Sequence, residues 1–244
     1  QRAVWLTCAL CAPLLRGQPA RSGVVNPNIS VIGQPELRLT NDPADANRSR
    51  LQMDPGEVEL VFDDYLNPYT RGKVTLSIAD GGIELEEGYF AIVRGLPGTL
   101  NLRGGKWRAD FGKLNAQHPH AVPFADRFRV LSTYLPGDES FNETGLELSS
   151  RLPAPGEMSL IASVAWLQGD SFRREREDSG TANDPLAGDG DRTGEARPAM
   201  LGRLSGFALV GERSGLELGL SATGGTNNVA AGSRTTIYGA DVKA

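Results

Sequence analysis

Apolar and polar residues alternate with period two along much of this chain, the spacing that sends successive side chains to opposite faces of a sheet. In "LELGLSAT", Leu216, Leu218, Leu220 and Ala222 share one face, and Glu217, Gly219, Ser221 and Thr223 share the other. "EVELVFD" sets Val58, Leu60 and Phe62 against Glu57, Glu59 and Asp63, and "KVTLSI" sets Val74, Leu76 and Ile78 against Lys73, Thr75 and Ser77. "TLNLRGGKWRADF" is expected to change frame at Gly104-Gly105, as a glycine bulge would do. Trp107, Ala109 and Phe111 then oppose Lys106, Arg108 and Asp110. "GIELEEGYFAIV" alternates except at Glu86-Glu87, where one carboxylate falls on the apolar face.

The pattern predicts about ten strands, at roughly 28–39, 56–66, 69–79, 83–94, 99–111, 143–152, 158–168, 200–212, 215–224 and 234–243. Their lengths suit the ~9–11 residues of a membrane-crossing β-strand. The long connections (40–55, 112–142 and 169–199) are all odd in order. Every even one is a tight turn: "NP", "GLPG", "PAPG" and "RSG". An up-and-down barrel in a membrane predicts this parity, because short periplasmic turns alternate with longer outward loops. The competing fold, a soluble exported β-sandwich acting as a binding module, gives no reason for long crossovers to keep one parity.

The expected fold is therefore all-β, an antiparallel up-and-down transmembrane β-barrel occupying 26–244. "RTTIYGADVKA" reads as one more strand with no partner after it. An unpaired edge in lipid costs several kcal/mol per backbone group, so the expectation is an N-terminal portion, about ten strands, of a larger barrel. Aromatic content of 7% is thin for two aromatic girdles.

Composition narrows the function. Thirty glycines and 15 prolines fit short strands and turns, and a net charge of −5 without a basic block argues against nucleic acid as a partner. "RAVWLTCALCAPLL" is a basic residue followed by about a dozen mostly apolar ones, the size of a signal-peptide core. Residues 1–20 are read as a signal peptide, whose extreme start is expected to be missing because the chain opens on Gln1. Both cysteines, Cys8 and Cys11, fall inside it, so the mature protein would lack a thiol. No later run is apolar and long enough for a membrane-spanning helix. The cell outer membrane of a Gram-negative organism is the expected location. Lipid, small solutes or ions, and further copies of the chain are the expected partners.

In such a barrel the polar face looks into a watery lumen. Glu57, Glu59, Lys73, Arg103, Lys106, Arg108, Glu147 and Glu217 are then lumen candidates, with mixed signs that set no ion preference. Both histidines lie in "GKLNAQHPHAVPFADR". His118 and His120 are metal-ligand candidates, but zinc wants three or four ligands, and only Asp126, Asp138 or Glu139 could complete a set through folding. They lack a nucleophile motif such as G-x-S-x-G, so no catalytic residue is expected and the chain is read as non-enzymatic. If this loop folds into the lumen, Lys113, Asp126, Arg127 and Arg129 join Lys106, Arg108, Glu57 and Glu59 as candidates to line a constriction. Its Leu114, Val122, Phe124, Leu131 and Leu135 would need somewhere to bury themselves. The later loop, with Asp184, Asp189 and Asp191, lacks the spacing of an EF-hand and is read as solvated.

"NPNISVIG", "EVELVFDDYLNPYTRGKVTLSI", "IELEEGYF", "LRGGKWRADFGKLNAQHPHAVPFADR" and "TTIYGADVKA" together resemble a family of uncharacterised Gram-negative outer-membrane proteins. These are porin-like β-barrels often labelled zinc-regulated or TonB-dependent receptors. The resemblance covers most of 26–152 and returns at 201–244, and the histidine loop is its most specific part. It implies a barrel without established enzymatic activity, and the expected function is a passive channel for small solutes or ions, with a zinc or metal uptake receptor as the alternative. A TonB-dependent receptor needs a plug domain of well over a hundred residues before its barrel, and the segment between the expected leader and first strand is far shorter. Gated active transport is therefore not expected, and passive permeation or a scaffold role fits better.

Overall fold

The structure is a computed structural model that describes residues 4–7 (backbone only), 27–79, 82–118, 121–122, 141–172, 198–211, 214–227 and 232–244. It is all-β, with strands β1 (Val4–Thr7), β2 (Asn28–Gly33), β3 (Glu36–Leu39), β4 (Gln52–Asp54), β5 (Val58–Asn67), β6 (Thr70–Ala79), β7 (Gly82–Ile92), β8 (Leu100–Arg108), β9 (Asn142–Leu152), β10 (Ser159–Leu167), β11 (Ala199–Val210), β12 (Ser214–Thr226) and β13 (Arg234–Lys243). Ten of them form one antiparallel sheet in the order β2-β5-β6-β7-β8-β9-β10-β11-β12-β13. From β5 onward each strand pairs with its successor in the chain. Successive connections therefore fall at opposite ends of the sheet, and the long ones, 109–141 and 168–198, share one end.

The sheet is open. β2 and β13 each keep one unpaired edge among the described residues, so the ten strands do not close on themselves. Because directions alternate across an even number of strands, these two edges run antiparallel to one another.

Two expected details change, and one short strand is added. The predicted strand over 28–39 is two strands, since Pro35 has no N–H to give a ladder. β2 joins the large sheet, while β3 joins β1 and β4 in a separate three-stranded one. Val4–Thr7, inside the expected leader, is β1 and pairs with Glu36–Leu39; the rest of 1–20 lies outside the described residues. Finally, the bulge sits elsewhere. The β8–β9 register runs unbroken from Leu100↔Ser150 to Arg108↔Asn142, whereas β7 carries an extra residue at Glu86, between the pairs Thr75↔Glu87 and Leu76↔Leu85.

The unbroken register decides the faces. Paired residues share a face, so Phe90, Gly104, Leu146, Trp166 and Met200 form one row. Arg103, Glu147, Ala165, Leu201, Thr223 and Ile237 form a row on the opposite face. The first, apolar face is the exposed one: Trp166 is 60% exposed, Leu220 62% and Tyr238 81%. On the other face Glu59 is 4% exposed, Glu87 5% and Glu147 6%.

The buried apolar cluster of this protein also lies on the charged side. Trp107, Phe111, Phe141, Leu167, Phe172 and Leu201 form it, with Ala109, Ala165 and Ala199 filling between them. Phe141 stacks edge-on against both Phe111 and Phe172, with ring centres 6.4 and 5.7 Å apart, a favoured arrangement for aromatic pairs. Small residues under the rings make the room. A Cβ at Gly239 would stand 2.9 Å from Phe111, and one at Gly225 2.7 Å from Phe172.

Candidate functional site

Between β8 and β9 the described residues 109–118 form a strap that lies over the charged face. Its base is closed by Asn115, whose Nδ2 donates to the carbonyls of Ala109 (2.6 Å) and Phe141 (2.9 Å). Asn115 Oδ1 accepts the Phe141 N–H at 3.2 Å, and Ala109 N–H donates to the Phe141 carbonyl at 2.8 Å. The two ends of the long connection are thereby tied together. Glu143 anchors the start of the next connection to β9. It accepts the N–H groups of Gly169 (3.0 Å) and Ser171 (2.6 Å), and so holds the 3-10 turn Asp170–Phe172 that delivers Phe172 to the core.

On one side the strap touches the last strands. Gly112 N–H donates to Ser221 Oγ at 3.1 Å, and Lys113 forms an ion pair with Glu217. On the other side His118 reaches β5 and β7. Seven strand spacings separate β5 from β12, about 34 Å if the sheet were flat. The strap is coiled into turns over 112–116 and spans far less than that, so the sheet curves around it.

The far anchor is a knot of charges. His118 Nε2 lies 2.9 Å from Glu87 Oε2, while Nδ1 lies 3.1 Å from Glu86 Oε2 and 3.4 Å from Glu59 Oε1. The bulge at Glu86 makes this possible: the extra residue breaks the strict alternation, and both adjacent carboxylates end up buried. Lys73 pairs with Glu87, Arg108 reaches Glu86 at 3.4 Å, and Thr75 Oγ1 donates to Glu87 at 3.4 Å. Glu57 lies at its edge, beside Ser77 and Glu86. Burial alone would lower the affinity of His118 for its proton, but the surrounding carboxylates of Glu59, Glu86 and Glu87 outweigh it and push the imidazole pKa up to about 10.

Ligand-type atoms of Glu59, Glu86 and His118 lie within 4.8 Å of one another, close enough for one cation. A metal ion there would have to displace the imidazolium proton, and Arg108 already stands against Glu86.

Beside the strap, Arg103 stacks over Trp107, 4.6 Å from the ring centre, and pairs with Asp110 and with Glu147 at 2.9 Å. Arg203 donates to Asp241 at 2.7 Å and to Ser221 at 2.9 Å. Beside Arg203, Asp110 and Glu147 lies a polar recess of ≈ 230 Å³, floored by Ser149, Ser163 and Ser205 with Ile161.

Of the residues singled out from sequence, Glu59, Arg108 and His118 meet in the knot, with Glu57 at its margin. Lys113 lies on the strap, and Lys73, Arg103, Glu147 and Glu217 line the charged face. Lys106 does not. With no bulge at Gly104-Gly105, it falls on the same side as Leu102 and Gly104, where its Nζ donates to the Leu85 carbonyl at 2.7 Å. Trp107 instead shares the Arg103 face. His120, Asp126, Arg127, Arg129, Asp138 and Glu139 lie outside the described residues, as do Asp184, Asp189 and Asp191. Of the loop's apolar residues, Leu114 is exposed and Val122 half-buried; Phe124, Leu131 and Leu135 are likewise outside. Sequence reasoning missed Asn115 and Glu143 as loop ties. It noted Glu86-Glu87 only as an interruption, which was the available signal.

No protein-family model matches the chain, and no solved structure does. Over 113 residues the chain is 35% identical to an uncharacterised protein of Aquifex aeolicus (strain VF5). That stretch is 46% of this chain and 23% of the relative. The chain thus spans less than a quarter of a protein about twice its length.

Proposed function

We propose that this chain forms the wall of an outer-membrane β-barrel that works as a porin-like passive channel for small solutes or ions. One observation carries the reading: the sheet exposes its apolar face and covers its charged one. Water-facing sheets do the reverse, and large exposed apolar patches mark contact with membrane or protein. In a bilayer the same surface is matched to lipid, and the ion-paired face to an aqueous lumen. The meander topology and the long connections at one end fit the same architecture. The resemblance of the strand and loop segments to porin-like outer-membrane proteins supports it further.

Closure needs partners for the free edges of β2 and β13, either each other or additional antiparallel strands. In this reading Arg103, Glu147, Arg203 and the serine-floored recess border the water path, and residues 109–118 narrow it.

Heat-modifiable migration of the protein in isolated outer membranes tests the reading. A shift between boiled and unboiled samples in SDS is expected of a closed barrel. Recovery in the soluble fraction with no shift would overturn the proposal in favour of an exported binding domain.

A further inference from the structure

Resting on the channel reading, we infer that His118 is the positioning residue that fastens the 109–118 strap over the charged face and thereby sets the aperture of the channel. The strap's near end is held redundantly by the Asn115 hydrogen bonds, the Phe111 ring on Gly239, Gly112 on Ser221 and Lys113 on Glu217. Among the described contacts, its far end is held by one side chain. His118 meets Glu59 from β5 and Glu86 and Glu87 from β7, with Lys73 of β6 and Arg108 of β8 balancing the carboxylates and Glu57 at the margin. A single cationic ring with two nitrogens on opposite edges can bridge carboxylates from two strands at once. A hydroxyl or an amide there could not supply the charge that three buried carboxylates require.

The arrangement is therefore a clasp: one end of the strap is built into the core, the other is tied by charge. Loss of the clasp frees His118 and its neighbours from β5 and β7 and leaves the core anchor in place.

The test compares single-channel conductance of the full protein with that of His118→Ala and His118→Lys in planar bilayers, with heat-modifiable migration as the readout of folding. A several-fold rise in conductance or in its fluctuations for His118→Ala, with near-normal values for His118→Lys, is the expected result. Unchanged conductance in a folded His118→Ala protein would overturn the inference and leave the channel reading intact. If the unaltered protein forms no channel, the channel reading falls. The clasp is then judged from a spin label at Gln117→Cys, beside His118 and beyond the Asn115 anchor, in a chain with Cys8 and Cys11 changed to serine. Equal label mobility with and without His118 would overturn it.

Discussion

His118 and Glu87 stand 2.9 Å apart, Nε2 to Oε2, although 31 residues separate them in the chain. The contact ties a loop residue to the middle of β7, and it exists because the bulge at Glu86 leaves two adjacent carboxylates buried together. The loop that carries the histidine is thereby pinned to the charged face.

The knot makes stability depend on pH in a definite direction. His118 holds its proton more tightly in the folded protein than in the unfolded chain, where an ordinary histidine titrates near ~6.5. Its contribution is fully present below that value and is lost as pH rises toward about 10. Urea unfolding at several pH values should show the unaltered protein losing its advantage over His118→Gln across this window, by a few kcal/mol. A difference that stays constant from neutral to alkaline pH would contradict the assignment.

The exposed apolar face separates lipid from water as its surroundings. Leu220 lies near the centre of β12, 62% exposed. In a bilayer Leu220→Arg should cost about 2–4 kcal/mol at midplane, read as reduced insertion or a lower unfolding midpoint in lipid. In a water-facing sheet the same change would be close to neutral.

Two glycines on opposite faces give a matched pair. A Cβ at Gly239 meets the Phe111 ring at 2.9 Å, and one at Gly202 meets nothing within 4 Å. Gly239→Val should displace Phe111 and destabilise by about 1–3 kcal/mol, whereas Gly202→Val should be neutral or slightly stabilising through its β-propensity. Thermal or urea unfolding distinguishes them.

Arg103 is a cation between two carboxylates and an indole. Arg103→Met should leave Glu147 and Asp110 without their shared partner and cost about 3–5 kcal/mol, and adding Glu147→Gln with Asp110→Asn should restore part of that loss. Unfolding midpoints of the single and triple variants check both halves.

The tight turn at Asn67 was legible because its chemistry is local: Asn67 Oδ1 accepts the N–H groups of Tyr69 and Thr70, both at 2.9 Å. The break at Pro35 was equally local, yet it was read through, because residues on either side keep alternating and only the missing N–H separates β2 from β3.

What the sequence determined by itself is most strands of the large sheet and the two faces of those whose alternation is unbroken, because period-two alternation is written residue by residue into strands such as 216–223. It also determined the ordering of long and short connections. What only the tertiary structure decided is where the alternation yields and what the loops do. Glycines at 104 and 105 suggested a bulge, but pairing with β9 holds that register straight and places the extra residue at Glu86, opposite Thr75 and Leu76. The partners of His118 lie on two strands distant in sequence, so no local pattern carries them. They are chosen by the curvature of the sheet, which brings β5, β7 and β12 within reach of one short strap, and by the cost of burying three carboxylates that Lys73 and Arg108 leave one charge short.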